Sequence, residues 1–383
     1  MVAVPETGKP KRVRGGLGDW FYRMKTRIIA DPEFQAFANR FPLTRPLVKA
    51  RARGLYDLVA GFVYSQTLLA VVELRLHEML MDRPLTAEGI ATRAQLTPEA
   101  AQRLCQAAGA IGLMKRDRRG RYGLTQIGAS LLGAAGVEEM IRHHPMFYAD
   151  IADPVALLRG ETETELSRYW GYVGGAQTND MGAEVAAPYS ALMAASQRMV
   201  AEETLAAFSM KPFDRLTDIG GGEGAFLSAA LQANPGLRGT VFDLPAVVAR
   251  APARLKRDGV AEQATTAGGS FLTDPLPEGA DLISLIRVCY DHDDDVVLAL
   301  QRKIRATLPE GGSLLISEPM SGGAAPTRAG DAYFGFYTAA MSTGRPRSIA
   351  EHTVLLTEAG FTRVRAHPTR QTFITQVLSA RAG

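Results

Sequence analysis

The chain has 383 residues, of which 46% are hydrophobic and 22% charged, and its formal net charge is +3. This length predicts more than one domain, and the composition is typical of an ordinary globular protein. The nearly balanced charge gives no support for a nucleic-acid-binding protein. The two cysteines, Cys105 and Cys289, lack metal-ligand spacing and do not make a disulfide framework, so we expect a cytoplasmic protein.

Residues 1–45 form a basic N-terminal arm. Seven basic residues lie between positions 9 and 27 against one acid, Asp19, and the aromatic run Trp20, Phe21 and Tyr22 lies among them. We expect no signal peptide, and no uninterrupted apolar run reaches the roughly 18–20 residues of a membrane span. The arm either makes peripheral contact with an anionic membrane surface or packs on a partner subunit.

Residues 46–140 show the order of elements of a winged helix. After a long helical stretch at 46–80, the pattern predicts a helix over 87–94 and a second helix with Thr97 as N-cap and Pro98 at its first position. A charged glycine turn then joins two short strands within "GLMKRDRRGRYGLT". This order is compatible with a DNA-binding regulator and with a dimerisation domain.

The second helix of this region favours dimerisation. The residues predicted to face inward are Leu104, Ala107, Ala108 and Ile111. The residues predicted to face solvent are Glu99, Gln102, Arg103 and Gln106. The solvent-facing set is nearly neutral in sum, whereas binding to DNA phosphates requires an excess of positive charge. We therefore expect a dimerisation domain and no nucleic-acid partner.

The C-terminal half alternates strands and helices. Residues 141–205 are predicted to be a helical linker that lines a substrate cleft, and residues 206–383 to form the catalytic domain. Regular alternation of this kind predicts a parallel sheet with helices on both faces. Two strands around Pro368 are expected to add an antiparallel strand at the end of that sheet.

A glycine-rich turn follows the first strand of this domain. In "DIGGGEGA", Gly220, Gly222 and Gly224 come directly after the strand that contains Asp218 and lie at the start of a helix, where a ligand can approach the backbone closely. The next strand ends in Asp243, whose carboxylate can accept both hydroxyls of a ribose. This pair of features predicts a site for either NAD or an adenosyl cofactor.

Six motifs together resemble the plant-type small-molecule O-methyltransferases, which depend on S-adenosylmethionine: "LTDIGGGEGAF", "VFDLP", "GGSF", "LIRVCYDHDDD", "GGSLLISEP" and "LLTEAGF". The resemblance covers about residues 50–380 and is nearest to a bacterial branch with carotenoid O-methyltransferases of the demethylspheroidene (hydroxyneurosporene) type and bacteriochlorophyllide methyltransferases. It implies a homodimer with a mainly α winged-helix dimerisation domain. A Rossmann-like α/β methyltransferase domain would follow, with a seven-stranded sheet whose last strand is antiparallel.

The resemblance also implies roles for individual residues. Gly220, Gly222 and Gly224 would admit the methionine part of the cofactor, with Asp218 fixing the turn and Asp243 holding the ribose. The other cofactor contacts implied are Leu244 beside Asp243, Ser270 and Phe271 against the adenine, and Arg287 near the cofactor. No metal is expected, and S-adenosylhomocysteine would be the product.

The segment "LIRVCYDHDDD" departs from the family pattern. The plant enzymes have a His-Asp-Trp sequence there and use the His as general base, but the aligned residues are Tyr290, Asp291 and His292. The first supporting carboxylate matches Glu318, whereas Pro346 stands at the second. The catalytic residues predicted are therefore His292, Tyr290 and Glu318, with His292 as the candidate base.

This departure bears on the acceptor. A phenol ionises near pH 10, within reach of a histidine base, but an aliphatic alcohol is far less acidic and depends more on positioning and desolvation. The pattern favours the tertiary 1-hydroxyl of an acyclic carotenoid as acceptor. The alternatives are an aromatic or polyketide hydroxyl, a bacteriochlorophyllide, a winged-helix regulator and, from the glycine turn alone, an NAD-dependent dehydrogenase.

Aromatic and methionine side chains predict a pocket for a lipophilic substrate. The residues expected to line it are His143, His144, Phe147, Tyr333, Phe336, Tyr337 and Met341. Met193 and Met199 lie on a second segment that suits a long apolar ligand. A lipophilic substrate also suggests a position on the inner face of the photosynthetic or cytoplasmic membrane.

Overall fold

The computed structural model describes residues 16–133, 136–170 and 197–383. The chain divides into two compact units, the first ending at Ala70 and the second running from Val71 to Gly383. The predicted boundaries between arm, winged helix, linker and catalytic domain stay a prediction. Much of the predicted linker, Met193 included, lies outside the described residues.

The described residues form helices and nine strands. In chain order the helices are α1 Leu17–Ala30, α2 Pro32–Arg40, α3 Arg45–Glu73, α4 Leu76–Met79, α5 Ala87–Ala94, α6 Pro98–Ala110, α7 Gln126–Ser130, α8 Val137–Asp150, α9 Pro154–Leu158, α10 Glu165–Tyr169, α11 over 197–207, α12 Ala225–Ala233, α13 Pro245–Val248, α14 Ala251–Arg257, α15 Asp294–Thr307, α16 Gly335–Met341 and α17 Ile349–Glu358. A 3₁₀ turn covers Cys289–Asp291, and a π-helix, Arg328–Phe334, leads into α16. The strands are β1 Met114–Arg116, β2 Tyr122–Leu124, β3 Arg215–Ile219, β4 Arg238–Asp243, β5 Ala264–Gly268, β6 Leu282–Ile286, β7 Ser313–Glu318, β8 Phe361–His367 and β9 Gln376–Ala382.

The first unit begins with a helical hairpin. The Asp31 side chain accepts a hydrogen bond from the backbone N–H of Phe34 at 2.8 Å, and Pro32 occupies the first position of α2, so the second helix starts sharply. Gln35 Nε2 donates to the carbonyl of Ile29 at 2.9 Å and joins α2 to the end of α1. No residue of α1 is buried.

Helix α3 is long and largely apolar. By length and composition alone, it is the one helix of the described residues that could cross a membrane. The sequence predicted no membrane span, because Asp57, Gly61, Ser65 and Gln66 interrupt the apolar run. The mean hydropathy of the helix is nevertheless high enough for a span. An exposed apolar helix face is equally typical of a surface that packs on another subunit, so this property does not decide between the two.

The winged helix has the predicted elements. The Thr97 side chain accepts from the backbone N–H of Ala100 at 3.2 Å, and Pro98 is the first residue of α6. Strands β1 and β2 pair antiparallel, and Leu85 forms a bridge to Tyr122 that adds a third short segment to the wing. The helix–turn–helix–hairpin prediction is confirmed.

The predicted apolar side of α6 is partly wrong. The fully buried residues of the helix are Ala101, Cys105 and Ala108, whereas Leu104, Ala107 and Ile111 are half-buried. Gln102, expected to face solvent, donates through Nε2 to the Tyr122 hydroxyl at 2.9 Å. The wing therefore covers part of the side that the periodicity assigned to solvent.

The second unit contains a seven-stranded sheet in the order β5-β4-β3-β6-β7-β9-β8. Strands β3 to β7 pair in parallel, and β9 runs antiparallel to both β7 and β8. The predicted antiparallel last strand is confirmed, but it does not lie at the edge. Strand β8 forms the edge of the sheet, and β9, which follows it in the chain, lies between β7 and β8.

Helix α11 is tied to this sheet by buried hydroxyl groups. Thr204 Oγ1 donates to the carbonyl of Val200 at 2.6 Å and lies 2.6 Å from Ser317 Oγ, which lies 2.9 Å from Thr375 Oγ1. Because the Thr204 proton is used on Val200, Ser317 donates to Thr204 and accepts from Thr375. This chain links α11, β7 and the loop before β9.

Replacing Ser317 with Ala removes the middle member of this chain, so Thr204 Oγ1 loses the hydrogen bond that it accepts and Thr375 Oγ1 loses its acceptor at 2.9 Å. We expect the free energy of unfolding to fall by about 1–3 kcal/mol. Thr265→Ala, which removes the exposed Thr240–Thr265 hydroxyl contact, is the matched control and should change it by less than about 0.5 kcal/mol. Urea denaturation checks both, and equal effects would contradict the proposed hydrogen-bond chain.

Candidate active site

The carboxyl ends of four parallel strands meet at one edge of the sheet. Asp218 lies near the end of β3, Asp243 ends β4, Arg287 follows β6 and Glu318 ends β7. Open α/β sheets bind ligands outside this edge. The structure thus brings the predicted cofactor residues together with Glu318.

The glycine turn has the conformation that its sequence predicts. Gly220, Gly222 and Gly224 have φ of +66°, +60° and +79°, in the left-handed region that other residues rarely adopt. A Cβ built on Gly222 would meet nothing within 4 Å, so this backbone faces open space. A Cβ on Gly221 would lie 2.6 Å from Asp218 Oδ2, so Gly221 is needed too, although the spacing did not single it out.

Asp218 supports this turn from below. It is fully buried and accepts a hydrogen bond from Ser284 Oγ at 2.6 Å, while its Oδ2 has no partner among the described residues. Burial raises the pKa of Asp218 to about 7, the Ser284 hydrogen bond lowers it and Asp243 raises it further. This supporting position agrees with the role that the resemblance implies.

Asp243 is held for hydrogen bonding to a diol. Its Oδ2 accepts from the backbone N–H of Gly222 and its Oδ1 from that of Leu244, both at 2.7 Å. Burial raises the pKa of Asp243, and these two backbone hydrogen bonds oppose that shift. Each oxygen retains a lone pair, so the carboxylate fits the two hydroxyls of a ribose beside the open face at Gly222.

Ser270, Phe271 and His292 lie together on the adjacent side. The backbone N–H of Ser270 donates to Asp274 Oδ2 at 2.8 Å, and Ser270 Oγ accepts from the backbone N–H of Leu272 at 3.3 Å. The Phe271 and His292 rings meet edge to face with centroids 5.3 Å apart. His292 thus faces the residue predicted to contact adenine.

His292 is neutral at pH 7. Burial lowers the pKa of His292 to about 4, Arg347 lowers it further, and Glu318 opposes the shift. Within the described part of the chain, no hydrogen bond joins its ring to Tyr290 or Glu318. The structure therefore places the candidate base with Phe271 and does not join it to the other two predicted catalytic side chains.

Tyr290 contacts residues beside the predicted substrate pocket. It is buried, its hydroxyl accepts from Arg287 Nη2 at 3.2 Å, and its ring meets Phe334 edge to face at 5.9 Å. Burial raises the pKa of Tyr290 above the usual range of a phenol, and Arg287 opposes that shift. Tyr290 is thus a neutral phenol. Arg287, expected near the cofactor, contacts Tyr290.

The next residue, Asp291, is also buried, and its Oδ1 has no hydrogen-bond partner among the described residues. Burial raises the pKa of Asp291 to about 8, while Arg287 lowers it. Glu318 also raises the pKa of Asp291, and a hydrogen bond with the Tyr290 side chain lowers it. The Asp291 carboxyl is thus a direct neighbour of the Tyr290 hydroxyl.

Glu318 pairs with a histidine that the sequence did not single out. Glu318 Oε2 accepts from the backbone N–H of Tyr290 at 3.1 Å, and His352 Nε2 lies 3.0 Å from Glu318 Oε1. Both side chains are fully buried. The angle at the His352–Glu318 contact is too poor for a hydrogen bond, so we treat it as an electrostatic contact. Glu318 acts on the Tyr290 backbone and positions that residue.

Two His–Tyr pairs join α8 to the π-helix and α16. His143 Nε2 lies 2.8 Å from the Tyr337 hydroxyl, and His144 Nε2 lies 2.9 Å from that of Tyr333. Burial lowers the pKa of His143 to about 4, with a further contribution from His144, and burial also lowers the pKa of His144. Trp170 Nε1 donates to the Tyr337 hydroxyl at 3.0 Å, so that hydroxyl can give its proton to His143.

The remaining predicted pocket residues surround these pairs. The Phe147 ring meets those of Tyr333 and Tyr337 edge to face, at 5.8 and 5.3 Å. Phe336 packs against the same cluster, and Met341 is buried within it. The seven residues therefore form one aromatic wall, and Phe334 connects it to Tyr290 through ring contacts.

One cluster of the described residues has metal-ligand geometry, His77 with Glu78 and Glu138. His77 Nε2 lies 2.7 Å from Glu138 Oε1, Arg75 pairs with Glu78, and Arg142 lies 3.3 Å from Glu138. Two arginines already compensate the carboxylates. The contacts are those of an ion-pair network outside the candidate active site.

Arg347 fixes the loop that carries Tyr290 and His292. Its side chain is fully buried, and its guanidinium donates to Asp294 Oδ1 and to the carbonyls of Cys289 and His292, each at 2.7 Å. Arg347 lies more than fifty positions further along the chain, so no local pattern predicts this contact. It is the main site residue that sequence reasoning missed.

Replacing Arg347 with Met removes its hydrogen bonds to Asp294 Oδ1 and to the carbonyls of Cys289, His292 and Arg345, and it leaves the His292 carbonyl unpaired. We expect the free energy of unfolding to fall by about 2–4 kcal/mol, because several hydrogen bonds from a charged donor are lost at once. Arg345→Met is the matched control, because Arg345 also pairs with Asp294 but is partly exposed. It should lose at most about 1 kcal/mol. Urea denaturation measures both variants. Similar losses of unfolding free energy in the two would contradict the proposal that Arg347 fixes this loop.

Comparison with known proteins assigns the family. Two family models match the chain, an O-methyltransferase dimerisation domain over residues 56–134 and an O-methyltransferase domain over residues 148–362. The dimerisation domain supports a homodimer. It overlaps the winged helix predicted at 46–140, and the catalytic match includes the glycine turn and the loop of Tyr290.

Relatives cover nearly the whole chain. Demethylspheroidene O-methyltransferase of Cereibacter sphaeroides is 45% identical over 96% of this chain and 96% of its own length. The Rhodobacter capsulatus protein of that name is 44% identical over 94% of this chain and 89% of its own length. The structure of human N-acetylserotonin methyltransferase in complex with S-adenosylmethionine has a TM-score of 0.72 at 24% identity, covering 87% of this chain and 98% of that one, and shows the shared fold. The chain belongs to the S-adenosylmethionine-dependent O-methyltransferase family that combines a dimerisation domain with a seven-stranded catalytic domain.

Proposed function

We propose that the chain methylates the tertiary 1-hydroxyl of an acyclic carotenoid of the demethylspheroidene or hydroxyneurosporene type to a methoxy group. The observation that carries this proposal is the identity of 44–45% over nearly the full chain to two enzymes named demethylspheroidene O-methyltransferase. The neutral imidazoles and phenols of the proposed acceptor side, His143, His144, Tyr333 and Tyr337, give further support.

The residues at the sheet edge fit the cofactor. Asp243 has two oxygens available for the ribose hydroxyls, and Gly222 offers open space for the backbone to be approached. Phe271 and His292 provide an aromatic edge against which an adenine can pack. When bound, S-adenosylmethionine supplies the activated methyl group, and S-adenosylhomocysteine is the product.

The acceptor side provides positioning and excludes water. Tyr290 is a neutral phenol held by Arg287, and both imidazoles of α8 have a tyrosine hydroxyl at Nε2. An aliphatic alcohol loses its proton only as the new C–O bond forms, so a strong base is less useful than alignment. Tyr290 is proposed to contact the acceptor hydroxyl, while His292 stays with Phe271.

The same proposal includes the place of action. An acyclic carotenoid is almost entirely hydrocarbon and dissolves in the bilayer, so the enzyme must meet it at a membrane. We therefore propose a cytoplasmic protein located peripherally on the inner face of the photosynthetic or cytoplasmic membrane. The aromatic wall from Phe147 to Tyr337 suits a lipophilic substrate.

Methyl transfer from labelled S-adenosylmethionine to four acceptors tests the substrate class. The panel holds a 1-hydroxylated acyclic carotenoid in detergent, a catechol, an anthracycline-like polyketide and a bacteriochlorophyllide. We expect label in the carotenoid alone. Label in a phenol or polyketide, with none in the carotenoid, would replace the proposal with aromatic O-methylation, and label in the bacteriochlorophyllide would replace it with pigment methylation.

Two single substitutions distinguish the roles of Tyr290 and His292. Tyr290→Phe should lower kcat by about ten- to a hundredfold with little change in the Kd of S-adenosylmethionine, because it removes one positioning hydrogen bond next to the acceptor. His292→Gln should instead weaken cofactor binding several-fold and leave kcat at saturating cofactor nearly unchanged. Steady-state kinetics and calorimetry measure both. A large loss of kcat in His292→Gln alone would restore His292 as the base.

A further inference from the structure

Helix α1 exposes all of its residues, although its end contacts α2. No residue of Leu17–Ala30 is buried, and the helix precedes both ranges that match the family models. The dimerisation match begins at residue 56, so the family comparison does not assign this helix to the subunit interface. Its chemistry therefore has to indicate what covers it.

One side of α1 is continuously apolar. Residues at helical spacings i, i+3, i+4, i+7 and i+11 form this stripe: Leu17, Trp20, Phe21, Met24 and Ile28. The exposed fractions of Leu17, Trp20 and Phe21 are 80%, 52% and 56%. Side chains of this size at this exposure need a partner that removes them from water.

Positive charge borders the stripe on both sides. At 100° per residue, Arg23 and Arg27 project on one flank and Lys25 on the other, while Asp19 lies opposite the stripe. Long basic side chains can extend outward from a buried apolar face and place their charges at lipid phosphates. This arrangement complements a bilayer with acidic lipids, in which negatively charged headgroups cover an apolar interior.

Helix α2 extends the same kind of surface. Phe34, Phe37 and Phe41 lie along one side of it and are exposed, with Phe37 at 61%. The Phe37 and Phe41 rings stack with centroids 5.8 Å apart. Phenylalanine is among the residues that form the apolar face of helices lying in a membrane interface.

The exposed residues of α3 require a separate explanation. Tyr56, Phe62 and Val63 are also exposed, but they lie within the matched dimerisation domain, where a second copy of the chain is the expected cover. The short hairpin of α1 and α2 lies outside that range. It also carries the flanking cations that a protein–protein interface core usually lacks.

We propose that the α1–α2 hairpin is a membrane-binding surface, which lies flat on an anionic bilayer with the α1 stripe in the boundary between headgroups and acyl chains. Its purpose rests on the proposed lipophilic substrate, since it would bring the enzyme to the bilayer in which that substrate dissolves. The binding itself is independent of methyl transfer.

Co-sedimentation of the full chain with vesicles tests the proposal. Vesicles of phosphatidylcholine mixed with phosphatidylglycerol should bind the protein at least about tenfold more strongly than vesicles of phosphatidylcholine alone, and added salt should remove most of that difference. Equal binding to both vesicle types, or binding that salt does not change, would overturn the proposal.

Substitutions assign the binding to α1. The double change Trp20→Ala with Phe21→Ala should reduce partition into the mixed vesicles by about tenfold or more, because it removes two large apolar side chains from the stripe. Leu158→Ala with Phe373→Ala is the matched control, since both side chains are exposed elsewhere in the chain, and should leave partition unchanged. Equal losses in both double variants would overturn the assignment.

Charge reversal gives a second, independent variant. Arg23→Glu with Lys25→Glu should remove the preference for anionic vesicles, whereas Arg118→Glu with Arg119→Glu in the wing should keep it. Light scattering and S-adenosylmethionine binding follow assembly and folding in each variant. If the α1 variants lose the dimer and keep vesicle binding, α1 packs on a second copy and the proposal falls.

The outcome is separable from the proposed activity. Vesicle binding with no methylation of the carotenoid in detergent would refute the proposed substrate and leave the membrane surface intact. Methylation in detergent with no vesicle binding would do the reverse.

Discussion

Arg347 is a charged side chain with no exposed surface, and four oxygen atoms compensate for its lost hydration. Two of them are the carbonyls of Cys289 and His292, at either end of the loop that carries Tyr290 and His292. A buried guanidinium is stable only while its hydrogen bonds are kept, so the cation and the loop conformation require each other. Tyr290 and His292 therefore point to different sides because the backbone between them is fixed by a residue from a distant part of the chain.

Burial keeps several ionisable groups of the candidate site neutral. The imidazoles of His143 and His292 have pKa values lowered to about 4, and burial raises the pKa of Tyr333 to about 12. All three groups are neutral at pH 7, as is the Tyr290 phenol. An active site built for a phenol gains from a base close to the acceptor pKa, whereas an alcohol acceptor gains mainly from alignment in a dry pocket. The neutral groups of the proposed acceptor side therefore agree with the proposed alcohol acceptor and with the departure from the family's histidine.

Sequence patterns predicted the features that depend on local periodicity. The glycine turn, the carboxylate at Asp243, the wing and the parallel strands were all readable because each is specified within a few residues of itself. The features that were missed depend on contacts between distant segments. Periodicity assigned Gln102 to solvent because it does not include the wing, and it gave no sign of Arg347 or of His352 beside Glu318. The insertion of β9 between β7 and β8 is likewise a property of the sheet edge, not of either strand alone.

Helices α1 and α3 both expose apolar surfaces, but α3 suits a subunit interface and α1 suits binding to a membrane. Helix α3 continues into the matched dimerisation domain and is apolar over a long stretch, which suits a large, permanent subunit interface. Helix α1 is short and amphipathic, with cations on both flanks of its stripe, which suits reversible binding to a charged surface. A single helix of this kind binds a membrane weakly, but a homodimer presents two of them. The second helix then binds at a high effective concentration, so dimerisation strengthens attachment without any new contact.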